Sequence, residues 1–302
     1  MENQIKKLHL GVIGVSEGNG HPYSWSAIFN GYNPEAMEEC GFPVIPRYLE
    51  KQQFPEDAIT LASVTHIWAQ DKEIAQHIAK AALIETVVKD FTDMIGHIDG
   101  LLLARDDAEN HEDFAAPFLD AGIPIYIDKP LALSVIEAQR MFNRQRYEGQ
   151  LFSCSALKYA EELKLSNHEI ARVGKIRYIQ ALVPKDWDKY AIHAIEPVLQ
   201  IAGDYGNLVS TRVFHDDDIT MFNASFSNRL NIQISALGSI PAPISIKVFG
   251  ESGWVELTFQ NTFKAFKCAL EDFVLGIIHH DVRSSPEIII SAIKLVESGR
   301  RQ

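Results

Sequence analysis

Cysteine is scarce in this 302-residue chain: Cys40, Cys154 and Cys268 are the whole complement. Odd in number, far apart and without a Cys-x-x-Cys pair, they fit reduced thiols in a cytosolic protein rather than a disulfide framework. Positive charge is also in short supply. With 28 Lys plus Arg against 40 Asp plus Glu, the formal net charge is −12. That balance argues against nonspecific nucleic-acid binding and against anionic membrane surfaces. No apolar run approaches the roughly 18 residues that a membrane span needs. The first such run, Leu8–Val15, is short, ends near Glu17 and is followed by no cleavage signature. Internal repeats, low-complexity tracts and a Ser-His-Asp order with a nucleophile elbow are all missing. Hydrophobic residues at 46% and charged residues at 23% describe an ordinary soluble chain, long enough for two domains. A cytoplasmic location is expected.

The first half alternates strand and helix. Leu8–Val15, Val64–Ala69, Gly100–Ala104 and Ile123–Ile127 read as short buried strands, and helices are expected over Ser24–Tyr32, Lys72–Ala82, Asn110–Ala121 and from Ser134 to about Arg146. Pro22 suits a first helical turn, Gly122 a C-terminal cap, and Ser134-Val-Ile-Glu137 a capping box. Ile74 and Ile78 are expected on one helix face. Prolines at 34, 43, 46 and 55 suggest an irregular excursion over 33–63. Such alternation implies a Rossmann-type doubly wound α/β fold with a parallel sheet covered on both faces. The second half differs. Lys175–Val183, Ser210–Phe214, Leu230–Ala236, Ser245–Phe249 and Trp254–Phe259 are strand-like, the last two joined by a turn at Gly250-Glu-Ser-Gly253. With helices at Phe266–His279 and Pro286–Ser298, this predicts an α+β domain with a largely antiparallel open sheet. The expected division is 1–157 and 158–302.

Ile123-Pro-Ile-Tyr-Ile-Asp-Lys-Pro-Leu-Ala132 is the most informative stretch. It puts Lys129 at the carboxyl end of a strand, where open α/β sheets bind ligands. Pro130 turns that lysine away from helical geometry. At the N-terminal side, strand, glycine-rich loop and helix are the ingredients of a dinucleotide site, in which backbone N–H groups and the helix dipole face a pyrophosphate. The fingerprint is altered: Gly14-Val-Ser16 puts serine at the second glycine, and Gly18 and Gly20 are displaced. In Asp186-Trp-Asp-Lys-Tyr-Ala-Ile-His-Ala-Ile-Glu-Pro197, Lys189, His193 and Glu196 share one face of a helix beginning near Tyr190. Histidine is well suited to take a hydroxyl proton as hydride leaves the same carbon; a packed core histidine is the alternative. Arg105-Asp-Asp107 follows the third strand at the sheet's carboxyl edge, facing a cofactor if one is bound. Asp71 is expected to cap the next helix. His215-Asp-Asp-Asp218 reads as a polar turn between strands, and no metal site is expected.

Asp128-Lys129-Pro130 resembles the Glu-Lys-Pro motif of the Gfo/Idh/MocA oxidoreductases, with aspartate for glutamate. Residues 186–197 resemble the family's Asp-x-Gly-x-His-x-x-Asp helix, His193 on the histidine and Glu196 on the final acid. Lys189 replaces the first aspartate and Ala191 the glycine, so an orienting carboxylate is lost; Asp188 or Asp186 is the hypothesised substitute. Ile246–Trp254 and Leu270–Val274 with Pro286–Glu297 resemble the family's strand-turn-strand element and closing helices. The resemblance implies an NAD- or NADP-dependent oxidoreductase acting on a sugar, polyol or sugar derivative. It further implies catalysis by Lys129 and His193, substrate contacts from Lys158, Lys189 and Tyr190, and cofactor contacts from Gly14, Ser16, Gly18, Gly20, Ala69, Gln70, Arg105, Asp128 and Lys129. Ala69 aligns with the ribose-binding position, which leaves NAD against NADP open. A homodimer or homotetramer is implied as well. NAD-dependent glycoside cleavage within the family and a nonenzymatic nucleotide or sugar sensor are the alternatives.

Overall fold

The computed structural model describes residues 7–300; the opening residues 1–6 lie outside the described part. The described chain forms two compact units. The first comprises the chain up to Leu131 with Gln139–Ser153 and Phe266–Pro286; the second comprises Ala132–Ala138, Cys154–Ala265 and the chain from Glu287. The expected division after 157 falls within the second unit's stretch Cys154–Ala265. The sequence reading assigned Phe266–Pro286 to the other side of that division.

In the first unit, β1 (Leu8–Ile13) leads through a loop to α1 (His21–Asn30). The proline-rich excursion folds into two short helices, α2 (Pro34–Glu38) and α3 (Val44–Leu49), where the sequence suggested irregular chain. Then come β2 (Ala62–Trp68), α4 (Lys72–Ala81), β3 (Thr86–Val87) and β4 (Gly100–Leu103). Asp71 caps α4 as expected, accepting the N–H groups of Glu73 and Ile74 at 2.7 and 3.2 Å. Ile78 is buried, but Ile74 is 40% exposed, so the inward face of α4 runs through Ala75, Ile78 and Ala81. Next, α5 (His111–Ala121) ends at Gly122 in the left-handed conformation, and β5 (Ile125–Ile127), α6 (Val135–Asn143) and β6 (Leu151–Ser153) follow. The strand order is β3-β2-β1-β4-β5-β6, and every pairing is parallel. Strands β1, β4 and β5 are almost wholly buried, as a sheet covered on both faces requires.

The second unit contributes α7 (Asn167–Val173), β7 (Ile176–Val183), α8 (Trp187–Tyr190), α9 (Ile192–Ala202), β8 (Leu208–Asp216), β9 (Ile219–Phe226), β10 (Asn231–Ala236), β11 (Ser245–Gly250) and β12 (Trp254–Thr258). Their order is β12-β11-β7-β10-β9-β8. The β10–β7 pair is parallel and the remaining pairs are antiparallel, which matches the expected class. Asp217 and Asp218 form the tight turn between β8 and β9, where a polar turn was expected. Inward residues of the sheet, among them Ile179, Phe222, Ile234 and Ile246, pack with Trp187 and the helices in one apolar core.

Two helices close the chain, α10 (Thr262–His279) and α11 (Pro286–Gly299). From Phe266 onward α10 belongs to the first unit. There its Phe266 meets the Trp25 ring at 6.3 Å, and its Phe273 meets Tyr126 and Phe152 at 5.8 Å each. At Gly100 an added Cβ would lie 2.8 Å from Cδ1 of Ile277, so α10 packs closely on β4 there. Among the described residues, no helix is long and apolar enough to cross a membrane.

Candidate functional site

The order of the parallel sheet turns about β1, which pairs with β2 on one side and β4 on the other. Ligands of open α/β sheets bind outside the carboxyl ends of the strands at such a point. The loops leaving those ends carry Gly14, Ser16, Gly18 and Gly20 after β1, Ala69 and Gln70 after β2, Arg105 after β4, and Asp128 and Lys129 after β5. All the first-unit residues singled out in the sequence therefore share one edge.

Charges at this edge are matched in pairs. The buried Asp128 carboxylate accepts the Asn19 amide at 3.0 Å and the Lys129 N–H at 2.7 Å, and lies 2.6 Å from Nδ1 of His21. Burial opposes its ionisation, yet His21, Lys129 and these hydrogen bonds hold its pKa down at about 2. The Lys129 ammonium is also buried and lies 3.8 Å from Oδ2 of Asp106. The other Asp106 oxygen accepts the Ser16 hydroxyl at 2.7 Å, and the Asp106 N–H donates back to Ser16 Oγ at 3.1 Å. Arg105 forks onto Asp107, sends Nη1 to the Val15 carbonyl (2.8 Å) and to Gln70 Oε1 (2.9 Å), and stacks over Phe114. Burial works against the Asp107 charge, but the Arg105 and Asn110 hydrogen bonds prevail and lower its pKa. Because β1 lies between β2 and β4, the Arg105–Gln70 link passes over the carboxyl end of β1. His111, at the start of α5, has its ring nitrogens 3.0 Å from the Leu131 carbonyl and 2.8 Å from that of Arg105, tying two of the loops together.

A Rossmann-type sheet implies a dinucleotide, and the donors at this edge test the fit. The helix terminus offers little. The His21 N–H goes to the Asn19 side chain, Pro22 has none, and the N–H groups of Tyr23 and Ser24 go to the Gly20 carbonyl. The loop before the helix offers more. Gly18 has φ +76°, and a Cβ there would meet nothing within 4 Å, so the loop is open on that side. Ala69 is small, and Arg105 brings a cation to Gln70 at 2.9 Å. The donors that fit a dinucleotide at this edge are thus in the loop and at Arg105 rather than at the helix terminus.

The second unit holds the other cluster. Nδ1 of His193, near the start of α9, lies 2.8 Å from Oγ of Ser155. Glu196, three residues on, accepts the Ser155 N–H at 2.9 Å. Burial pushes the Glu196 carboxyl up to about 7 against the opposing pull of Lys158 and that N–H. The Tyr190 ring packs edge-on against His193 at 5.2 Å, and Lys185 Nζ sits 4.5 Å from the Tyr190 ring centre. Neither aspartate proposed to orient His193 is disposed to do so. Asp186 caps α8 by accepting the Lys189 N–H, and Asp188 pairs with Arg300. Ser155 stands against the imidazole instead. Nothing in the sequence marked it, since one buried serine after a strand carries no pattern; Asn19 and His21 lay in the glycine-rich loop without being singled out.

Residues 41–155 match the model of an oxidoreductase family with an NAD-binding Rossmann fold, GFO_IDH_MocA; the glycine-rich loop lies before the matched stretch. No curated protein matches the chain. Among solved structures, myo-inositol dehydrogenase from Lactobacillus casei in complex with NAD(H) and myo-inositol superposes with a TM-score of 0.75 at 13% identity, over 97% of this chain and 93% of that one. A probable dehydrogenase from Thermotoga maritima gives 0.72 at 14%, covering 96% and 94%. UDP-N-acetylglucosamine 3-dehydrogenase from Acidithiobacillus ferrooxidans gives 0.71 at 14%, covering 97% of both. At these identities the likeness is one of fold.

Proposed function

We propose that this chain, whose residues 41–155 match the model of the Gfo/Idh/MocA oxidoreductase family, is an NAD(P)-dependent dehydrogenase or reductase of a secondary alcohol carbon in a sugar, polyol or sugar derivative. The observation that carries the reading is a buried lysine, Lys129, held beside Asp106 at the carboxyl end of β5 in a parallel sheet. The substrate class follows the inositol and UDP-sugar dehydrogenases that share the fold.

When bound, the nicotinamide ring accepts or returns the hydride. Lys129 stabilises the alkoxide that develops as the carbon–hydrogen bond breaks. His193 takes the hydroxyl proton, so that the alcohol leaves as a ketone with atoms and charge balanced. Lys158, Lys189 and Tyr190 contact substrate oxygens. Gly14, Ser16, Gly18, Gly20, Ala69, Gln70, Arg105 and Asp128 hold the dinucleotide. The proposal includes a cytoplasmic homodimer or homotetramer; the apolar side chains of Val209 and Phe214, 67% and 55% exposed on edge strand β8, support self-association.

Titration with NADH and NADPH, followed by nicotinamide fluorescence, is the first test, with micromolar binding of one of them expected. Lys129→Ala is expected to keep that binding and to lose turnover by about 10²–10³-fold in a polyol and sugar screen. A second reading, a sensor that binds without turnover, is favoured by one observation: the N–H groups of the first turn of α1 are engaged within the chain. Binding with no turnover on any polyol or sugar would select it.

A further inference from the structure

His21 opens α1 at the end of the glycine-rich loop, and its ring is held on three sides. Nδ1 meets Asp128, Trp25 stacks on the ring at 5.0 Å and 11°, and Phe266 packs edge-on at 5.0 Å. Among the described residues, Nε2 has no hydrogen-bond partner, and it is open to solvent on a side chain 19% exposed. We propose that His21 binds the pyrophosphate of the dinucleotide through Nε2 and takes up a proton from solvent as it does so. The inference rests on the reading of this edge as a dinucleotide site.

Proton inventory decides what Nε2 can do. Asp128 is buried and its carboxyl is held down at about 2, so at neutral pH it only accepts. The proton in the 2.6 Å contact therefore sits on Nδ1 of His21. A neutral ring then has a bare lone pair at Nε2, which cannot hydrogen-bond an anionic oxygen. A second proton turns Nε2 into a charged donor that can. Histidine is the side chain that makes this change near neutrality. Binding thus takes the ring from neutral to singly positive, with one proton drawn from solvent and Asp128 unchanged.

Three features put that chemistry at His21. The backbone donors that a phosphate uses at a helix start are engaged: the His21 N–H goes to Asn19 Oδ1 at 2.7 Å, and those of Tyr23 and Ser24 go to the Gly20 carbonyl. The other cations of the edge are matched, Lys129 with Asp106 and Arg105 with Asp107. Asn19 braces the pair, since its amide donates to Asp128 at 3.0 Å while its carbonyl accepts the His21 N–H. Among the described groups in contact with the ring, Asp128 is the charged one, with the Lys129–Asp106 pair next to it; Trp25 and Phe266 add no charge. A ring fixed this way loses little rotamer freedom when a ligand arrives.

The test is the pH dependence of NADH binding, or of NADPH if that is the cofactor taken, read by nicotinamide fluorescence between pH 6 and 9. Wild-type affinity is expected to fall with rising pH by up to about tenfold per unit, the limit for uptake of one proton. His21→Asn is expected to bind about 10–100-fold more weakly at pH 6, the worth of a hydrogen bond to a charged group, with a flat profile. His21→Gln, whose neutral amide donates without a proton from solvent, is expected to recover part of the affinity and to stay flat. Calorimetry at pH 8 in HEPES and in Tris, which differ in ionisation enthalpy, counts the proton: up to one for wild type and none for either variant. That wild-type count does not depend on how well the variants fold. A histidine that only packs under Trp25 would change the affinity but neither the profile nor the count. A wild type with no proton uptake and a flat profile, or a His21→Asn with wild-type affinity, overturns the proposal and leaves the dinucleotide reading standing. Wild-type protein that binds neither NADH nor NADPH overturns both.

Discussion

At the carboxyl edge of the parallel sheet, charge is answered by charge, Lys129 by Asp106 and Arg105 by Asp107, while the Asp128 carboxylate meets the His21 ring. In the second unit, a neutral residue, Ser155, meets both His193 and Glu196. Buried ion pairs fix a geometry and resist changes of protonation, because removing one charge strands the other in a poorly solvated place. A hydroxyl tolerates both protonation states of its partner. The difference teaches that opposite charges brace the first cluster, whereas a hydroxyl that can give or take a hydrogen bond meets the imidazole in the second.

The sharpest way to break that comparison is His193→Asn. If the second cluster does the proton chemistry, turnover falls by about 10²–10⁴-fold while the NADH affinity measured by fluorescence stays at its wild-type value. A large loss of affinity instead would show that the histidine serves binding. Next in size is Asp128→Asn. Its carboxyl is held down from the ordinary 3.8 to about 2, so the ionised group contributes about 2 kcal/mol above pH 4. That contribution is lost as pH falls from about 4 through 2, so urea denaturation of variant and wild type should differ at pH 7 and converge near pH 2.

Glu196→Gln probes the other cluster with the opposite sign. The Glu196 carboxyl is raised from 4.5 to about 7, so its contribution is fully present below pH 4.5 and fades as pH climbs toward 7. Thermal melts should show wild type losing stability relative to the variant between pH 5 and 8, by about 1–2 kcal/mol once partial exposure is discounted. A parallel pH dependence in both proteins would mean that the carboxyl titrates as it does in an unfolded chain. The smallest effect is expected for Arg105→Ala. Losing the cation beside Gln70 should weaken NADH binding by about tenfold, roughly 1.4 kcal/mol.

How much of this was legible in the sequence depended on what sets each position. Lys129 was legible because a strand end fixes it: the apolar run, the charged residue and the proline name the place before any side chain is built. The alternation of strand and helix likewise fixed the class of the first unit. The amphipathic helix after β2 was legible, but Ala75 and Ala81, two of its three inward residues, do not stand out as apolar beside Ile78. Strand β9 was missed since Thr220 and Ala224 occupy two of its four inward positions, which weakens the period-two signal. Ser155 lay beyond sequence reading altogether: it meets His193 across 38 residues, and only the packing of a short turn on α9 brings them together.

The return of Phe266–Pro286 to the first unit has a consequence for how the protein is made. Trp25, Tyr126 and Phe152 acquire their partners Phe266 and Phe273 only after the whole of the second sheet has been synthesised. At translation rates of roughly 5–20 residues per second, the first unit waits several seconds on the ribosome with an aromatic face uncovered. A polypeptide stopped at Ser153 would carry that exposed face permanently, and dissecting this protein into its halves therefore calls for grafting α10 onto the N-terminal piece rather than for a single cut.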